Sequence, residues 1–146
     1  MLRIATNIGE SEIDGIGLFT DEFLKRGRVI WEFDVGLDLS IEESFLNRLP
    51  DHVQKFIRHH AYKILGTRTY VLCGDNARYF NHNGEHPNIV SVGPTGVDVA
   101  GRDISPGEEL TVDYFTFDED AEVKLMNGPK AWARRQLLAH GFKNLQ

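Results

Sequence analysis

Arg78-Tyr79-Phe80-Asn81-His82-Asn83-Gly84-Glu85-His86-Pro87-Asn88 and, further on, Gly107-Glu108-Glu109-Leu110-Thr111-Val112-Asp113-Tyr114 carry most of the information in this chain. The first stretch is polar, turn-rich and crowded with side-chain amides. The second is a turn, a short apolar strand and a lone Tyr. Within the first, His82 to His86 spells H-x-x-E-H, a zinc-protease pattern. That chemistry needs both histidines on one helical face, with the Glu placed to activate a zinc-bound water. Asn83-Gly84 is instead a turn pair, and Gly costs ~1 kcal/mol inside a helix. Pro87 also pushes His86 towards extended geometry. The segment therefore reads as a loop, and no metal is expected.

Other chemistries find little support. Cys73 lies in the apolar run Tyr70-Val71-Leu72-Cys73, where a small thiol reads as core. Ser91 and Ser105 lack the glycine context of a nucleophile elbow. Gly15-Ile16-Gly17 has no third glycine and no long following helix, so it makes no dinucleotide fingerprint. It reads either as an ordinary turn before Leu18-Phe19-Thr20 or as a place where backbone approaches a ligand closely.

The 146 residues fit one domain, long enough to bury roughly two-thirds of its unfolded surface without a disulfide or metal staple. The single Cys rules out an internal disulfide and any structural zinc site built on three or four cysteines. Hydrophobic residues make up 41% and charged residues 26%, an ordinary globular balance, and no apolar run reaches membrane-spanning length. Met1 to Asn7 lacks the apolar core of a signal peptide, which predicts an intracellular, cytoplasmic protein, with a nuclear address open in a eukaryote. The net charge of -6 disfavours direct nucleic-acid binding. It suits either a basic partner or simple solubility.

Arg28 to Val35, Thr69 to Cys73, Ile89 to Val92 and Val97 to Ala100 read as strands rich in β-branched and aromatic types. Gly93-Pro94-Thr95-Gly96 predicts a hairpin between the last two, and Ser105-Pro106-Gly107 a turn before a strand from Glu109 to Val112. Ser40 with Glu43 forms a capping-box signature, predicting a helix from Ile41 to Arg48. Asp51 can cap a second helix carrying Val53, Phe56 and Ile57. A last helix is predicted from Pro129 to just before Gly141. The fold class is mainly β with peripheral helices.

Taken together, three segments resemble the SET-domain protein-lysine methyltransferases. Gly15-Ile16-Gly17-Leu18-Phe19 looks like the family's N-terminal G-x-G segment. Arg78-Tyr79-Phe80-Asn81-His82 is similar to its R-F-x-N-H core, and Pro87-Asn88 to the P-N that closes it. Gly107 to Tyr114 is similar to its G-E-E-L-T-x-D-Y. Order and spacing match over residues 3 to 115. The resemblance implies a β-clip-like fold of small sheets around a knot-like core. It implies a SET domain over residues 1–118, with a variable insert at about 40–67, and a helical segment over 119–146 packing on it.

The resemblance also implies S-adenosylmethionine as cofactor, without a metal, and methyl transfer to a lysine of a basic protein or peptide. Gly15, Ile16, Gly17, Asn81 and His82 would line the cofactor. Arg78 would either reach its carboxylate or order the loop. Tyr114 would be catalytic. Tyr79, Val112, Phe115 and Phe117 would line the substrate channel, with core packing the alternative for the two phenylalanines. Trp132 would either cover the adenine or pack its own helix. The loop between His82 and Pro87 departs from the family's N-H-S-C-x-P-N by one extra residue and by lacking Ser and Cys. Val112 replaces a common aromatic, and the cysteine-rich segment after the core is missing. A SET-like binding module without catalysis is the alternative function.

Overall fold

The computed structural model describes residues 1–92 and 96–127. Strands β1 (Thr6–Glu10) and β2 (Ile16–Thr20) form an antiparallel hairpin that sets Gly9 opposite Gly17. β3 (Val29–Glu32) follows, then β4 (Leu39–Glu42), helices α1 (Glu43–Leu46) and α2 (Asp51–His60), β5 (Tyr62–Lys63) and β6 (Thr69–Leu72). A 3-10 turn at Asn76–Tyr79 leads into β7 (Asn81–His82). β8 (Ile89–Val92), β9 (Val97–Ala100) and β10 (Thr111–Val112) complete the strands, and α3 (Ala121–Asn127) closes the described chain. No helix among the described residues is long and apolar enough to cross a membrane.

Among the described residues the strands build small sheets rather than one large one. β3-β9-β8 and β4-β6-β5 are three-stranded and antiparallel, while β7 and β10 pair in parallel, Asn81 with Thr111 and His82 with Val112. The larger core gathers Leu18, Ile30, Trp31, Phe80, Ile104, Leu110 and Val112 beneath these strands. A second core, with Leu46, Ile57, Tyr70 and Leu72, lies between α1, α2 and the β4-β6-β5 sheet. This unit is tied to the segment after Tyr114. The Tyr70 hydroxyl donates to Asp120 Oδ2 at 2.8 Å, and Lys63 N donates to Asp118 Oδ1 at 3.0 Å.

The expected strands and the second helix are present, and β8 and β9 pair with Val92 opposite Val97. Two expectations fail locally. Ser40 does not cap a helix: Ser40 and Ile41 lie in β4, opposite Val71 and Tyr70, and α1 starts only at Glu43 with no side-chain cap. Ladder pairing and burial of Ile41 outweigh the capping signature. The strand expected from Glu109 is also divided. Glu109 bridges Phe19 and Leu110 N donates to Leu18 O at 2.7 Å, whereas Thr111 and Val112 join β7. α3 falls within the helical segment expected over 119–146, and the helix expected from Pro129 lies outside the described residues.

Gly74 follows β6, and its N–H donates to Asp38 Oδ1 at 3.0 Å. A Cβ added there would stand 2.0 Å from the Leu37 carbonyl oxygen. That neighbour is backbone, so no rotamer change relieves it. Gly74→Ala should cost about 3 kcal/mol in urea unfolding, the range for forced overpacking.

Candidate active site

Glu109 sits where three distant segments meet. Its carboxylate accepts the Ser11 hydroxyl, with Oε1 at 2.8 Å and Oε2 at 2.9 Å, and Asn81 Nδ2 lies 2.8 Å from Oε1. The same amide lies 3.0 Å from Asp14 O and 3.2 Å from Ile16 O. Ser11 Oγ in turn accepts from Ile13 N at 2.9 Å and Asp14 N at 3.3 Å. The loop from Ser11 to Ile16 is therefore held from below by a carboxylate and an amide that lie far along the chain.

Gly17 takes its meaning from this contact. A Cβ there would lie 2.3 Å from Glu109 Oε1 and 3.1 Å from Ser11 Cβ. Gly15 differs: its φ of +50° favours glycine, and nothing lies within 4 Å of the space its Cβ would take. Asn88 fixes the other side of the same strand. It is buried, donates from Nδ2 to Glu109 O at 2.7 Å, and accepts from Thr111 N at 2.8 Å.

Tyr114 begins a short 3-10 turn whose preceding Asp113 side chain accepts from Phe115 N. Its hydroxyl donates to the Phe80 carbonyl at 2.5 Å, and its N–H donates to His82 Nδ1 at 3.1 Å. His82 is thus a neutral acceptor at Nδ1, with its proton on Nε2. Burial holds its imidazole below the ordinary value, opposed by Asp113 at 3.7 Å. Burial pushes the Tyr114 phenol up, with smaller contributions from Asp118, Asp14 and Glu109, and keeps it protonated. The Asn83 side chain accepts from Glu85 N at 3.2 Å and His86 N at 3.0 Å, so His82 to His86 is a turn. His82 Nε2 lies 3.0 Å from where a Gly84 Cβ would be, so the unusual glycine leaves room for the ring.

Asp14, Asn81, His82 and Tyr114 line a cleft of about 1790 Å³. Of the expected residues, Gly15, Ile16, Arg78, Tyr79, Asn81, His82, Val112, Tyr114, Phe115 and Phe117 all border it. Gly17 is not among the residues that line the cleft and lies against Glu109. Arg78 donates from Nε and Nη2 to Cys73 O at 3.2 Å and 2.7 Å, the geometry of a loop-ordering role. Phe115 is 56% exposed, whereas Phe117 packs against the core and stacks edgewise on Tyr62 and Tyr114. Trp132 lies outside the described residues. Cys73 is buried, and burial pushes its thiol up, the opposite of an activated nucleophile.

A family model described as the SET domain matches residues 15–115. The chain belongs to the SET-domain family. Over 128 residues this SET domain is 30% identical to Histone-lysine N-methyltransferase SETMAR of Mus musculus, across 77% of this chain and 41% of the relative. The chain spans about two fifths of the length of the curated relatives it matches. Among solved structures, the methyltransferase domain of human SETMAR superposes with a TM-score of 0.55 at 24% identity, over 77% of this chain and 45% of that one. ctPRC2 bound to S-adenosylmethionine gives 0.55 at 22% identity, over 84% and 16%. These likenesses agree with the small sheets and few helices seen here.

Reading the motifs named many of the residues that border the cleft, but not Ser11, Asn88, the Phe80 carbonyl or the contacts of Glu109. The signal for Glu109 was its place in Gly107-Glu108-Glu109-Leu110; what it touches is set by the fold. Gly17→Ala should displace the Glu109 carboxylate and cost about 1–3 kcal/mol. Paired with Glu109→Ala, the double variant should lose less than the two single losses together in a chemical-denaturation cycle. His82 supplies a pH prediction. Its folded-state pKa lies below the ordinary 6.5, so its stabilising contribution is complete above 6.5 and is lost as pH falls from there through the lower folded-state value. His82→Gln should flatten that part of the stability profile, measured by urea unfolding across the window.

Proposed function

We propose that this chain transfers a methyl group from S-adenosylmethionine to the ε-amine of a protein lysine. The observation that carries the reading is the Tyr114 hydroxyl, half-buried and neutral, donating to the Phe80 carbonyl beside the Asn81-braced loop. The residues present fit that cofactor: Gly15 leaves an open cradle at the cleft edge, and Asn81 has already fixed the carbonyls on both sides of it. The family and the histone-lysine methyltransferase relatives support the same class of chemistry.

When bound, the cofactor supplies an electrophilic methyl on a sulfonium. The rest falls to the chain. Because the Tyr114 proton is spent on Phe80 O, the phenol oxygen presents its lone pairs to whatever enters the cleft. It can accept an N–H of an incoming amine and a weak C–H···O contact from the transferring methyl. The Phe80 carbonyl offers a second oxygen of the same kind. Both favour in-line geometry, and alignment with fixed dipoles is the main catalytic resource of such a site. A substrate lysine must arrive neutral, against a reference pKa of about 10.4. Apolar walls and a nearby positive sulfonium both disfavour the ammonium. His82 holds Tyr114 in place through the main chain, and its neutral form avoids adding a cation. The -6 net charge favours a basic substrate.

Tyr114→Phe should lower kcat by about 100-fold or more, since one oriented polar group is removed from the transition state. S-adenosylmethionine affinity, read by calorimetry, should stay within about threefold. An unchanged kcat with labelled cofactor and a cell extract as substrate would remove Tyr114 from the mechanism. A folded protein that binds no S-adenosylmethionine would favour the non-catalytic binding module.

A further inference from the structure

Three side chains stand in one row across the β3-β9-β8 sheet. Asp98 pairs in register with Trp31 on one side and Ser91 on the other. Directly opposed residues of antiparallel strands present their side chains on the same face. All three border the cleft that also holds Tyr114. Neither Trp31 nor Asp98 takes part in the chemistry described above.

The row is electrically incomplete. Asp98 accepts the Ser91 hydroxyl at 2.6 Å, its one hydrogen-bond donor among the described residues. Burial pushes its carboxyl up to about 6, only partly offset by that bond. Among the described residues, the other groups facing it bring no positive charge. Tyr62, from β5, and Cys73, after β6, both sense Asp98 and are both held protonated by burial. Trp31 is 2% exposed, and its indole N–H has no acceptor among the described residues. A carboxylate without a cation and an indole N–H without an acceptor each cost free energy. A carboxylate so placed on a cleft wall calls for an occupant with a cation, and the buried indole beside its strand position forms the floor beneath it. An aromatic wall runs from this row to the catalytic hydroxyl: Trp31 to Tyr62 at 6.4 Å, Tyr62 to Phe117 at 5.2 Å and Phe117 to Tyr114 at 6.0 Å between ring centroids. Such a wall suits the methylene stem and charged head of a basic side chain.

We propose that Asp98 and Trp31 form a subsite for a second basic side chain, Arg or Lys, of the protein substrate, at a fixed offset from the lysine that receives the methyl group. The inference rests on the methyl-transfer reading and adds a sequence requirement to it. The cationic head pairs with Asp98, and the stem lies along the aromatic wall at Tyr62 and Phe117.

The probe is an array of peptides with one central lysine, each flanking position carried as Arg, Lys, citrulline, Ala or Glu. Methylation with labelled S-adenosylmethionine and direct binding in the presence of S-adenosylhomocysteine are both read. The wild type should prefer Arg or Lys over citrulline at one offset by about tenfold, and Asp98→Asn should erase the preference while leaving cofactor affinity unchanged. The preference should fade as pH falls through about 6, where Asp98 takes up a proton. Asp98→Asn keeps an acceptor for Ser91 and should melt no lower than the wild type at pH 8, so loss of fold is recognisable. A wild type indifferent to charge at every offset, or an Asp98→Asn variant that keeps the preference, overturns the subsite. If peptides bind with the predicted preference but none is methylated, the methyl-transfer reading fails and the subsite stands.

Discussion

One carboxylate holds the site together. Glu109 rests on the α-carbon of Gly17, takes the Ser11 hydroxyl and shares the Asn81 amide with Asp14 O and Ile16 O. Through it the first hairpin, the Asn81 strand and the strand leading to Tyr114 become one unit. The open face of Gly15 and the position of the Tyr114 hydroxyl follow from that contact. Neither has strong local support: β7 and β10 are two residues each, and Tyr114 opens a single 3-10 turn. Side-chain hydrogen bonds of long sequence separation supply what such short elements lack.

The cleft around this unit is hostile to charge. Burial pushes the phenols of Tyr114 and Tyr62 and the thiol of Cys73 up, and pushes the imidazole of His82 down. All four groups are thereby kept neutral near pH 7. That is the environment in which an amine sheds its proton most readily. Asp98 stands apart as a carboxylate held in the same surroundings, ionised at neutral pH at a cost.

The fold was legible where one residue's role depends on near neighbours. The β-branched runs at Thr69 to Leu72 and Ile89 to Val92 announced their strands, and Asn83-Gly84 announced a turn. Ser40 misled because its capping signal is local while the winning interaction, Ile41 opposite Tyr70, is not. The site was legible through its motifs, which marked Asn81, His82 and Tyr114. The contact that requires glycine at position 17 was not legible, because the occupant of that space, Glu109, is remote in sequence. Asp98 gave no signal: Val97-Asp98-Val99 has the alternation of a strand with one polar face, and only the register with Trp31 and Ser91 turns that face into a cleft wall.

The parallel pairing of Asn81-His82 with Thr111-Val112 has a consequence in time. Parallel neighbours cannot be joined by a tight turn, and contacts of long separation form late because loop closure must be met first. During synthesis the first hairpin can form as soon as it emerges, with the space over Gly17 still empty. The loop it carries gains its Ser11 and Asn81 braces in full only when Glu109 arrives, 98 residues after Ser11. A strand made late is therefore the one that sets the first loop, and the cleft is complete only once the segment from Glu109 to Tyr114 has been made.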